Sequence, residues 1–476
     1  MAGLMSNSEK RWKSVRKWIA LQIQSGEWPA GHKLPSIRSL SKRFDVSVAT
    51  IQRALSDLEL SSFIEAKPKK GYFVLTPSST SPLNYLDYNG VSVNVNHAVV
   101  NMLAKAGQMK KASLSSAVLQ DDLKPDAYLK KCMVACANRY EELETGFLSP
   151  PGLTELRRRL AGLMVSRGVS CGPDDILITS GDTVALELAL EAAAPGEGVI
   201  AIEYPTYYGI LQIIERLGKR ALPIRTNQFT GIDVSELKIA ARHQKISAVF
   251  LNPTLQNPRG FTMPDSARVE LVEFCEEEQI PIIEDDVFYD LLPMENRPKA
   301  IKAYGGESTI YCSSFSKTVA PGYRIGWCVP GKYRTEILAQ MFSRNLSVSS
   351  ISQNVITTFL ERNYLEDHCE NLRYKLSIVT DYLTNLVADT FPSGTFYYPP
   401  KGGFIHWISL PSNTDIPMLV ALCSKAGLHI SDSGIFFPDG VSSTSSIRIC
   451  LGTGLTASVK RNLRILSDCT HQSLKQ

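Results

Sequence analysis

Lys317 lies in a short segment whose other polar residues could bind a phosphate. Ser314 and Ser316 precede the lysine, and Arg324 follows it. A lysine amine forms Schiff bases with carbonyl compounds, while hydroxyl and guanidinium groups hold phosphates through charge-assisted hydrogen bonds. The segment therefore combines a nucleophile with phosphate-binding groups. A surface lysine after a strand is the alternative. The two serines and the arginine at the expected spacing from the lysine disfavour this alternative.

The run SSFSKTVAPGYRIG at 313–326 resembles the lysine-bearing signature of fold-type I pyridoxal-phosphate enzymes, especially aminotransferases. The resemblance implies that Lys317 forms the Schiff base with the aldehyde of pyridoxal 5′-phosphate. It also implies that the cofactor phosphate is held by Ser314, Ser316 and Arg324.

A second phosphate-binding segment is predicted at TSGDT, residues 179–183. It opens a helix whose backbone N–H groups can cradle the phosphate at Gly181, Asp182 and Thr183. Asp182 is unexpected beside a dianion. We predict that its side chain caps a helix beginning at Thr183, which would leave its amide toward the phosphate.

Three further positions resemble the family's ring-binding residues. Asp285, at the end of a predicted strand, is expected to pair with the pyridine nitrogen, because an Asp-x-x-aromatic spacing then falls on Phe288. Relatives often carry tyrosine at the position of Phe288. Asn257 is expected to face the phenolic oxygen, a simple turn being the alternative. Tyr207 is expected to stack on the pyridine, with core packing as the alternative.

Arg448 resembles the arginine that binds an amino-acid carboxylate in bidentate fashion. Phe147 occupies a place where relatives often have a tyrosine that reaches the partner subunit's phosphate. Two tyrosine hydroxyls are therefore missing, at Phe147 and Phe288. We expect weak or residual transaminase activity and a largely intact binding apparatus.

The elements that must position these residues form an α/β pattern. Beyond residue 150, short apolar runs alternate with helical patterns, the runs being 176–179, 199–202, 248–251, 281–284, 309–313 and 325–329. Such alternation predicts a mainly parallel sheet, in which ligand-binding groups cluster beyond the carboxyl ends of the strands. The alternation thus predicts an α/β domain with a mainly parallel central sheet, and the resemblance of the Lys317 segment implies that residues 97–476 form an aminotransferase-like domain of fold type I.

The first 76 residues are basic. They carry 13 lysines and arginines against 6 aspartates and glutamates, a net charge of +7, whereas the whole chain carries +4. Positive charge concentrated on a small module suits binding to a phosphate backbone, although a solvated basic surface is the alternative.

Three helices and a hairpin are predicted within residues 8–76. Apolar residues recur at helical spacing over 11–25, and Ser36 begins a second helix. Ser47 begins a third helix, which follows a turn at 45–46. We expect its inward face to be Val48, Ile51, Leu55 and Leu58, and its outward face to be Thr50, Gln52 and Arg53. Strands at 63–66 and 72–75 are predicted to flank a basic tip.

This pattern resembles the winged helix-turn-helix of GntR-family regulators. The resemblance implies that the third helix enters the DNA major groove. It implies DNA contacts from Arg38, Ser47, Thr50 and Arg53, and from Lys69, Lys70 and Gly71 in the wing. The residue after Ser47 is often an arginine in relatives, but here it is Val48. A winged helix that binds a protein partner is the alternative.

Residues 77–96 are predicted to be a linker, with 83–96 alternatively forming an arm on the second domain. Winged helix, linker and aminotransferase-like domain in this order resemble the MocR subgroup of GntR-type regulators. The resemblance implies a homodimer with exchanged DNA-binding domains. It also implies that the protein binds double-stranded DNA and pyridoxal 5′-phosphate and senses this cofactor, a small amino compound, or both. An active aminotransferase with an accessory DNA-binding domain is the alternative, and a cofactor-free scaffold is disfavoured by Lys317 and its partners.

Composition predicts a cytoplasmic protein without a membrane segment. The chain is 44% hydrophobic and 21% charged, and no apolar run approaches the roughly 20 residues of a bilayer span. Residues 9–12, EKRW, lack the apolar stretch of a signal peptide. Cys132 and Cys136 have helical spacing and are expected to be buried reduced thiols. The histidines form no metal-binding motif, so no metal is predicted.

Overall fold

The computed structural model describes residues 12, 15, 16, 18, 19, 22, 23, 28, 31–60, 63–67, 70–74, 88–108, 113–139, 148–344, 346–442 and 444–475. Phe147 and Lys69 lie outside these residues, as do positions 77–87 of the predicted linker. None of the described helices is both long and apolar enough to cross a membrane.

The N-terminal unit consists of helices and a hairpin around a small apolar core. Its described residues between 12 and 23 are helical. Helices α1 (Ile37–Phe44) and α2 (Val48–Leu60) follow, and strand β1 (Ile64–Lys67) pairs antiparallel with β2 (Gly71–Val74). The core includes Val15, Ile19, Leu40, Ile51, Leu55, Leu58 and Ile64.

Local capping explains where the two helices begin. The Ser36 hydroxyl accepts a hydrogen bond from the backbone N–H of Ser39 at 3.2 Å, and the Ser47 hydroxyl accepts one from the N–H of Thr50 at 3.2 Å. Each bond satisfies an N–H group that has no partner within its helix. Asp45, with φ 49°, adopts the left-handed conformation that ends α1.

The prediction that Val48 packs inward is wrong. Its side chain is 45% exposed, whereas Ile51, Leu55 and Leu58 are fully buried. Val48 is the first residue of α2. A helical side chain points back toward the helix N-terminus, and for Val48 that direction leads to the exposed Ser47 rather than to the core.

The second unit is built on a large mixed sheet. Its strands are β3 (Val91–Ser92), β4 (Leu177–Thr179), β5 (Val199–Tyr204), β6 (Arg220–Asn227), β7 (Gly231–Ile232), β8 (Ala248–Leu251), β9 (Ile282–Asp285), β10 (Thr309–Ser314) and β11 (Gly326–Val329). The spatial order is β3-β6-β5-β8-β9-β10-β11-β4, and β7 pairs with β6. The central pairs from β6 to β10 are parallel, whereas β3, β4, β7 and β11 pair antiparallel. The predicted mainly parallel sheet is confirmed.

Helices cover both faces of this sheet. They are α3 (Asn96–Gln108), α4 (Asp126–Asn138), α5 (Thr154–Ser166), α6 (Asp182–Ala193), α7 (Tyr208–Arg216), α8 (Val234–His243), α9 (Asp265–Glu277), α10 (Lys302–Gly305), α11 (Arg334–Arg344), α12 (Ser350–Glu361) and α13 (Tyr364–Thr390). Strand β5 shows the two faces: Ile200 and Ile202 pack with α6 and α7, whereas Val199 and Ala201 pack with α8 and α9. This alternation follows from the two-residue period of a strand.

A smaller sheet completes the fold. Strands β12 (Phe396–Tyr397), β13 (Ile405–Ser409) and β14 (Ser446–Cys450) pair antiparallel in that order. Helices α13, α14 (Ile416–Lys425) and α15 (Ala457–Gln472) pack on the sheet. The ring of Phe396 in β12 lies 4.8 Å from that of Phe63, which precedes β1. The N-terminal unit thus contacts the small sheet.

The described part of the predicted linker is attached to the second unit. Strand β3 pairs with β6 at the edge of the large sheet. The backbone N–H groups of Val95 and Asn96 donate to Glu215 Oε2 at 2.8 and 3.0 Å.

Candidate functional site

The residues selected in the sequence gather at the carboxyl ends of the central strands. Asp285 ends β9 and Ser314 ends β10. Asn257 lies in the loop after β8, and Tyr207 lies just beyond β5. Parallel strands bring their carboxyl ends to one edge of a sheet, so segments far apart in sequence form one cleft.

Lys317 borders this cleft just after β10. Its Nζ donates to the backbone carbonyl of Ala117 at 2.7 Å and lies 5.9 Å from the ring centroid of Phe288. Burial lowers the pKa of Lys317, while neighbouring groups that include Asp285 act in the opposite direction. A lowered pKa increases the fraction of neutral amine, which is the form that attacks a carbonyl.

The residues at the start of α6 and after β10 form a cradle for an anion. Gly181 precedes α6 with φ 92°, and no side chain caps the helix. Arg324 Nη2 donates to the carbonyl of Ser180 at 3.0 Å, and the Ser314 hydroxyl accepts from the N–H of Ser316 at 3.3 Å. Uncapped helix N–H groups, hydroxyls and a guanidinium are the donors that hold a phosphate. This donor set fits pyridoxal 5′-phosphate.

Two glycines allow the backbone segments of the cradle to lie close together. A Cβ on Gly181 would overlap the guanidinium of Arg324, and a Cβ on Gly326 would lie 2.6 Å from the carbonyl carbon of Gly181. The backbone of β11 and the start of α6 can therefore approach each other only without side chains at these positions.

The predicted capping role of Asp182 is wrong. Helix α6 begins at Asp182, not at Thr183, and its N-cap residue is Gly181. A cap side chain must come from the residue before the helix, so the Asp182 carboxyl is left for other contacts. It borders Asp285, and its buried Oδ1 has no hydrogen-bond partner among the described residues.

Asp182 and Asp285 thus form a pair of buried carboxyl groups that influence each other's pKa. Burial raises the pKa of Asp182 to about 7, and repulsion from Asp286 acts in the same direction. Burial also raises the pKa of Asp285, and the charge of Asp182 adds to that effect. Two close carboxylates resist double ionisation, so each carboxyl favours the protonated form of the other.

The neighbours Asp285 and Asp286 face different surroundings. Asp286 Oδ2 accepts from the hydroxyl of Tyr311 at 3.1 Å. Asp285 Oδ1 accepts from the N–H of Val287 at 3.3 Å, and its carboxyl borders Asp182. Asp285, the residue selected from the sequence, is therefore the one at the cleft.

Aromatic residues line the same region. Tyr207 precedes α7, and its pKa is raised by burial first and by the nearby Tyr208, Asp285 and Asp182 after it. Phe288 is buried, with its ring 5.8 Å from that of Phe404. Phe288 offers no hydroxyl to the cleft.

Arg448 is fully buried in β14. Its Nη1 donates to Asn257 Oδ1 at 3.1 Å, and its Nη2 donates to the carbonyl of Ser115. Its guanidinium carbon lies 4.7 Å from the ring centroid of Phe436 and 5.9 Å from that of Tyr208. The Nε atom has no partner among the described residues.

Several of these neighbours were not selected from the sequence. Ser115 and Ala117 contribute backbone carbonyls, which leave no signal in residue type. Phe436 lies in a short turn far from any selected motif. Tyr208 could have been selected because it directly follows Tyr207, which was selected.

A basic surface surrounds the start of α2. Arg38 and Arg53 are exposed, and the Ser47 hydroxyl lies 2.8 Å from that of Thr50. The guanidinium carbon of Arg53 is 4.9 Å from the ring centroid of Trp12. At the turn between β1 and β2, Lys70 is exposed and Gly71 has φ 103°.

Among the described residues, no group of three or more histidine, cysteine, aspartate or glutamate side chains is arranged to hold a metal ion. Cys132 and Cys136 are buried free thiols.

Two family models match the chain: "Aminotransferase class I and II" over residues 123–464 and "Bacterial regulatory proteins, gntR family" over residues 13–74. The HTH-type transcriptional regulator YjiR of Escherichia coli (strain K12) is 28% identical over 98% of this chain and 100% of its own length. YdcR of the same strain, also named an HTH-type transcriptional regulator, is 30% identical over 85% of this chain and 87% of its own length.

The second unit also resembles solved aminotransferases. A kynurenine aminotransferase of Pyrococcus horikoshii, solved with PMP, superposes with a TM-score of 0.73 and 25% identity over 79% of this chain and 95% of its own. LysN, an alpha-aminoadipate aminotransferase from Thermus thermophilus, superposes with a TM-score of 0.70 and 20% identity over 78% of this chain and 97% of its own.

Proposed function

Because the chain belongs to the class I and II aminotransferase family and begins with a GntR-type helix-turn-helix domain, we propose that it is a DNA-binding transcriptional regulator. Its aminotransferase-like domain senses pyridoxal 5′-phosphate, an amino compound, or both. The observation that carries this proposal is the presence, in one polypeptide, of a cleft built around Lys317 and a basic unit with an exposed α2 N-terminus.

The cleft supports cofactor binding more strongly than efficient catalysis. When bound, pyridoxal phosphate acts as an electron sink for amino compounds. Lys317 would hold its aldehyde, Asp285 its ring nitrogen, and Arg324 with the start of α6 its phosphate. Phe288 cannot hydrogen bond to the ring, and Asp182 brings a carboxyl to the phosphate cradle. Both features favour sensing over turnover.

Arg448 indicates the chemical class of the effector. Its guanidinium is buried and keeps one nitrogen unpaired among the described residues, and Asn257 holds another nitrogen in place. A planar guanidinium recognises carboxylates in bidentate fashion. An amino compound with a carboxylate is therefore the effector that this site fits.

The N-terminal unit provides the DNA-binding surface. Helix α2 would enter the major groove, with wing residues Lys70 and Gly71 near the backbone. Fold-type I sites form at a two-fold interface, so we propose a cytoplasmic homodimer with exchanged DNA-binding domains. A dimer requires two half-sites, related as a palindrome or a direct repeat.

Two measurements on one preparation test this function. DNA fragments retained by the full-length protein from a random-sequence pool are expected to share a motif, with affinity that falls as salt increases. Transamination of amino acids in the presence of pyridoxal 5′-phosphate is expected to be slow. Robust turnover without sequence-selective DNA binding would instead support the alternative, an active aminotransferase with an accessory domain.

Arg53→Ala is expected to weaken operator binding and leave cofactor binding unchanged. The exposed guanidinium lies on the helix assigned to the groove, and losing such a contact costs about 1–3 kcal/mol, or roughly 5- to 150-fold in Kd. Fluorescence anisotropy with the selected duplex measures this change.

The matched control is Arg461→Ala, which removes an exposed arginine from α15 in the other unit. It is expected to leave DNA affinity unchanged. Because Arg53 also contacts Trp12, the melting temperature of both variants must match that of the parent. Equal DNA affinity for Arg53→Ala and the parent protein would remove Arg53 from the interface.

A further inference from the structure

Val48 is an apolar side chain in an otherwise polar and basic surface. It is 45% exposed at the first position of α2. Ala49, the next residue, is exposed as well. Neither residue is needed to fill the core, which α2 reaches through Ile51 and the apolar residues that follow it.

The surroundings of Val48 carry more positive than negative charge. Val48 lines an open concavity whose charged residues are Arg38, Lys42 and Asp45, and whose other residues are Ser41, Val46 and Ser47. Arg38 and Lys42 are exposed on α1, and the Ser47 hydroxyl is bonded to the start of α2. Arg38 and Lys42 suit contacts with backbone phosphates, and the exposed Val48 beside them is the apolar group available to a base edge.

Base edges in the major groove differ in what they offer an apolar side chain. Guanine, adenine and cytosine present hydrogen-bond donors or acceptors, whereas thymine also presents its C5-methyl group. Contact between an aliphatic side chain and that methyl group makes binding more favourable, whereas contact with an amino or carbonyl group does not. In helix-turn-helix proteins, the N-terminal residues of the second helix contact base edges.

We propose that Val48 determines specificity by packing on the C5-methyl group of a thymine in the operator. This inference rests on the proposed function, since it requires that α2 enter the major groove. Burial of one methyl-sized group is worth about 0.8 kcal/mol, or roughly fourfold in Kd. One thymine position per half-site is therefore expected to depend on its methyl group.

Replacing thymine by deoxyuridine removes this methyl and leaves base pairing intact. The duplex is one selected from a random-sequence pool by the full-length protein, with each thymine replaced in turn. The parent protein is expected to lose about fourfold at one thymine per half-site. Val48→Ala, whose side chain is shorter, is expected to show a smaller difference between the thymine and deoxyuridine duplexes at that position.

Val441→Ala provides the matched control, because Val441 is 64% exposed and lies in the second unit. This variant is expected to retain the full methyl effect. Val48→Arg is expected to change the preferred base at the same position from thymine to guanine, whose O6 and N7 accept from an arginine.

The results distinguish failure of this inference from failure of the proposed function. Absence of any selected motif would overturn the function and the inference together. A selected motif in which every methyl effect is the same for the parent and Val48→Ala would overturn the inference alone. Retention of thymine preference by Val48→Arg would also overturn it.

Discussion

Lys317→Ala is expected to abolish the visible absorption that the protein gains with pyridoxal 5′-phosphate. The Lys317 amine lies in the cleft, where burial lowers its pKa and so increases the fraction of neutral amine. An alanine provides no amine for covalent attachment. The absorption spectrum after incubation with the cofactor and removal of the excess measures this loss.

Two variants serve as controls for this result. Lys317→Arg keeps a positive charge but cannot form the covalent bond, so it too is expected to lose the absorption. Lys460→Ala changes an exposed lysine on α15 and is expected to keep it. An unchanged spectrum for Lys317→Ala would assign the attachment to another residue.

Both Lys317 variants are expected to keep noncovalent binding of pyridoxine 5′-phosphate, which has no aldehyde, because the phosphate cradle does not include Lys317.

The parent protein is expected to lose affinity for pyridoxine 5′-phosphate at alkaline pH. Asp182→Asn is expected to prevent this loss. Burial raises the pKa of Asp182 to about 7, so the carboxyl is largely protonated at pH 6 and ionised at pH 8. Ionisation adds a negative charge next to Asp285 and the phosphate dianion. Affinity in the parent protein is therefore expected to fall as pH rises through 7, by up to about tenfold per pH unit.

The probe is pyridoxine 5′-phosphate, measured by calorimetry between pH 6 and pH 8.5. Lys317, Tyr207, Asp285 and Asp286 also bear on Asp182, and they are present in both proteins. The ratio of Kd for the parent to Kd for Asp182→Asn therefore reports the Asp182 carboxyl together with its effect on Asp285. This ratio is expected to be near one at pH 6 and about ten at pH 8. A ratio independent of pH would contradict the assigned role.

The same pair of carboxyl groups affects the stability of the protein without cofactor. A folded-state pKa of about 7 for Asp182, above its ordinary value of 3.8, means that the folded protein binds more protons than the unfolded chain between these values. The free energy of unfolding therefore falls as pH rises from about 4 to about 7. Asparagine removes this dependence, so the variant is expected to gain stability over the parent at neutral pH.

Features that depend on nearby residues could be read from the sequence. Ser36 and Ser47 cap helices through residues three positions away, as predicted. The six apolar runs became strands of the large sheet with small shifts at their ends, although no run predicted β6, and the Lys317 segment lies just beyond β10. Spacing within one helix, strand or turn is a local property, so local residue types determine it.

Features that depend on distant segments could not be read in this way. Arg448 and Asn257 are 191 residues apart in sequence, yet they are hydrogen bonded because the small sheet lies against the loop after β8. Asp182 was assigned a local cap, but its partner is Asp285. Helical periodicity placed Val48 on the inward face of α2, but it carries no information on whether other residues pack against that position.

The sequence by itself determined the two units, their order, the mainly parallel sheet and the segment that carries Lys317. Tertiary structure decided which carboxyl groups lie close together, which carbonyls hold Lys317 and Arg448, and which apolar side chain of α2 remains exposed. The physical reason is that periodicity and capping act over a few residues, whereas charge pairing and burial depend on which strands and helices become neighbours in space.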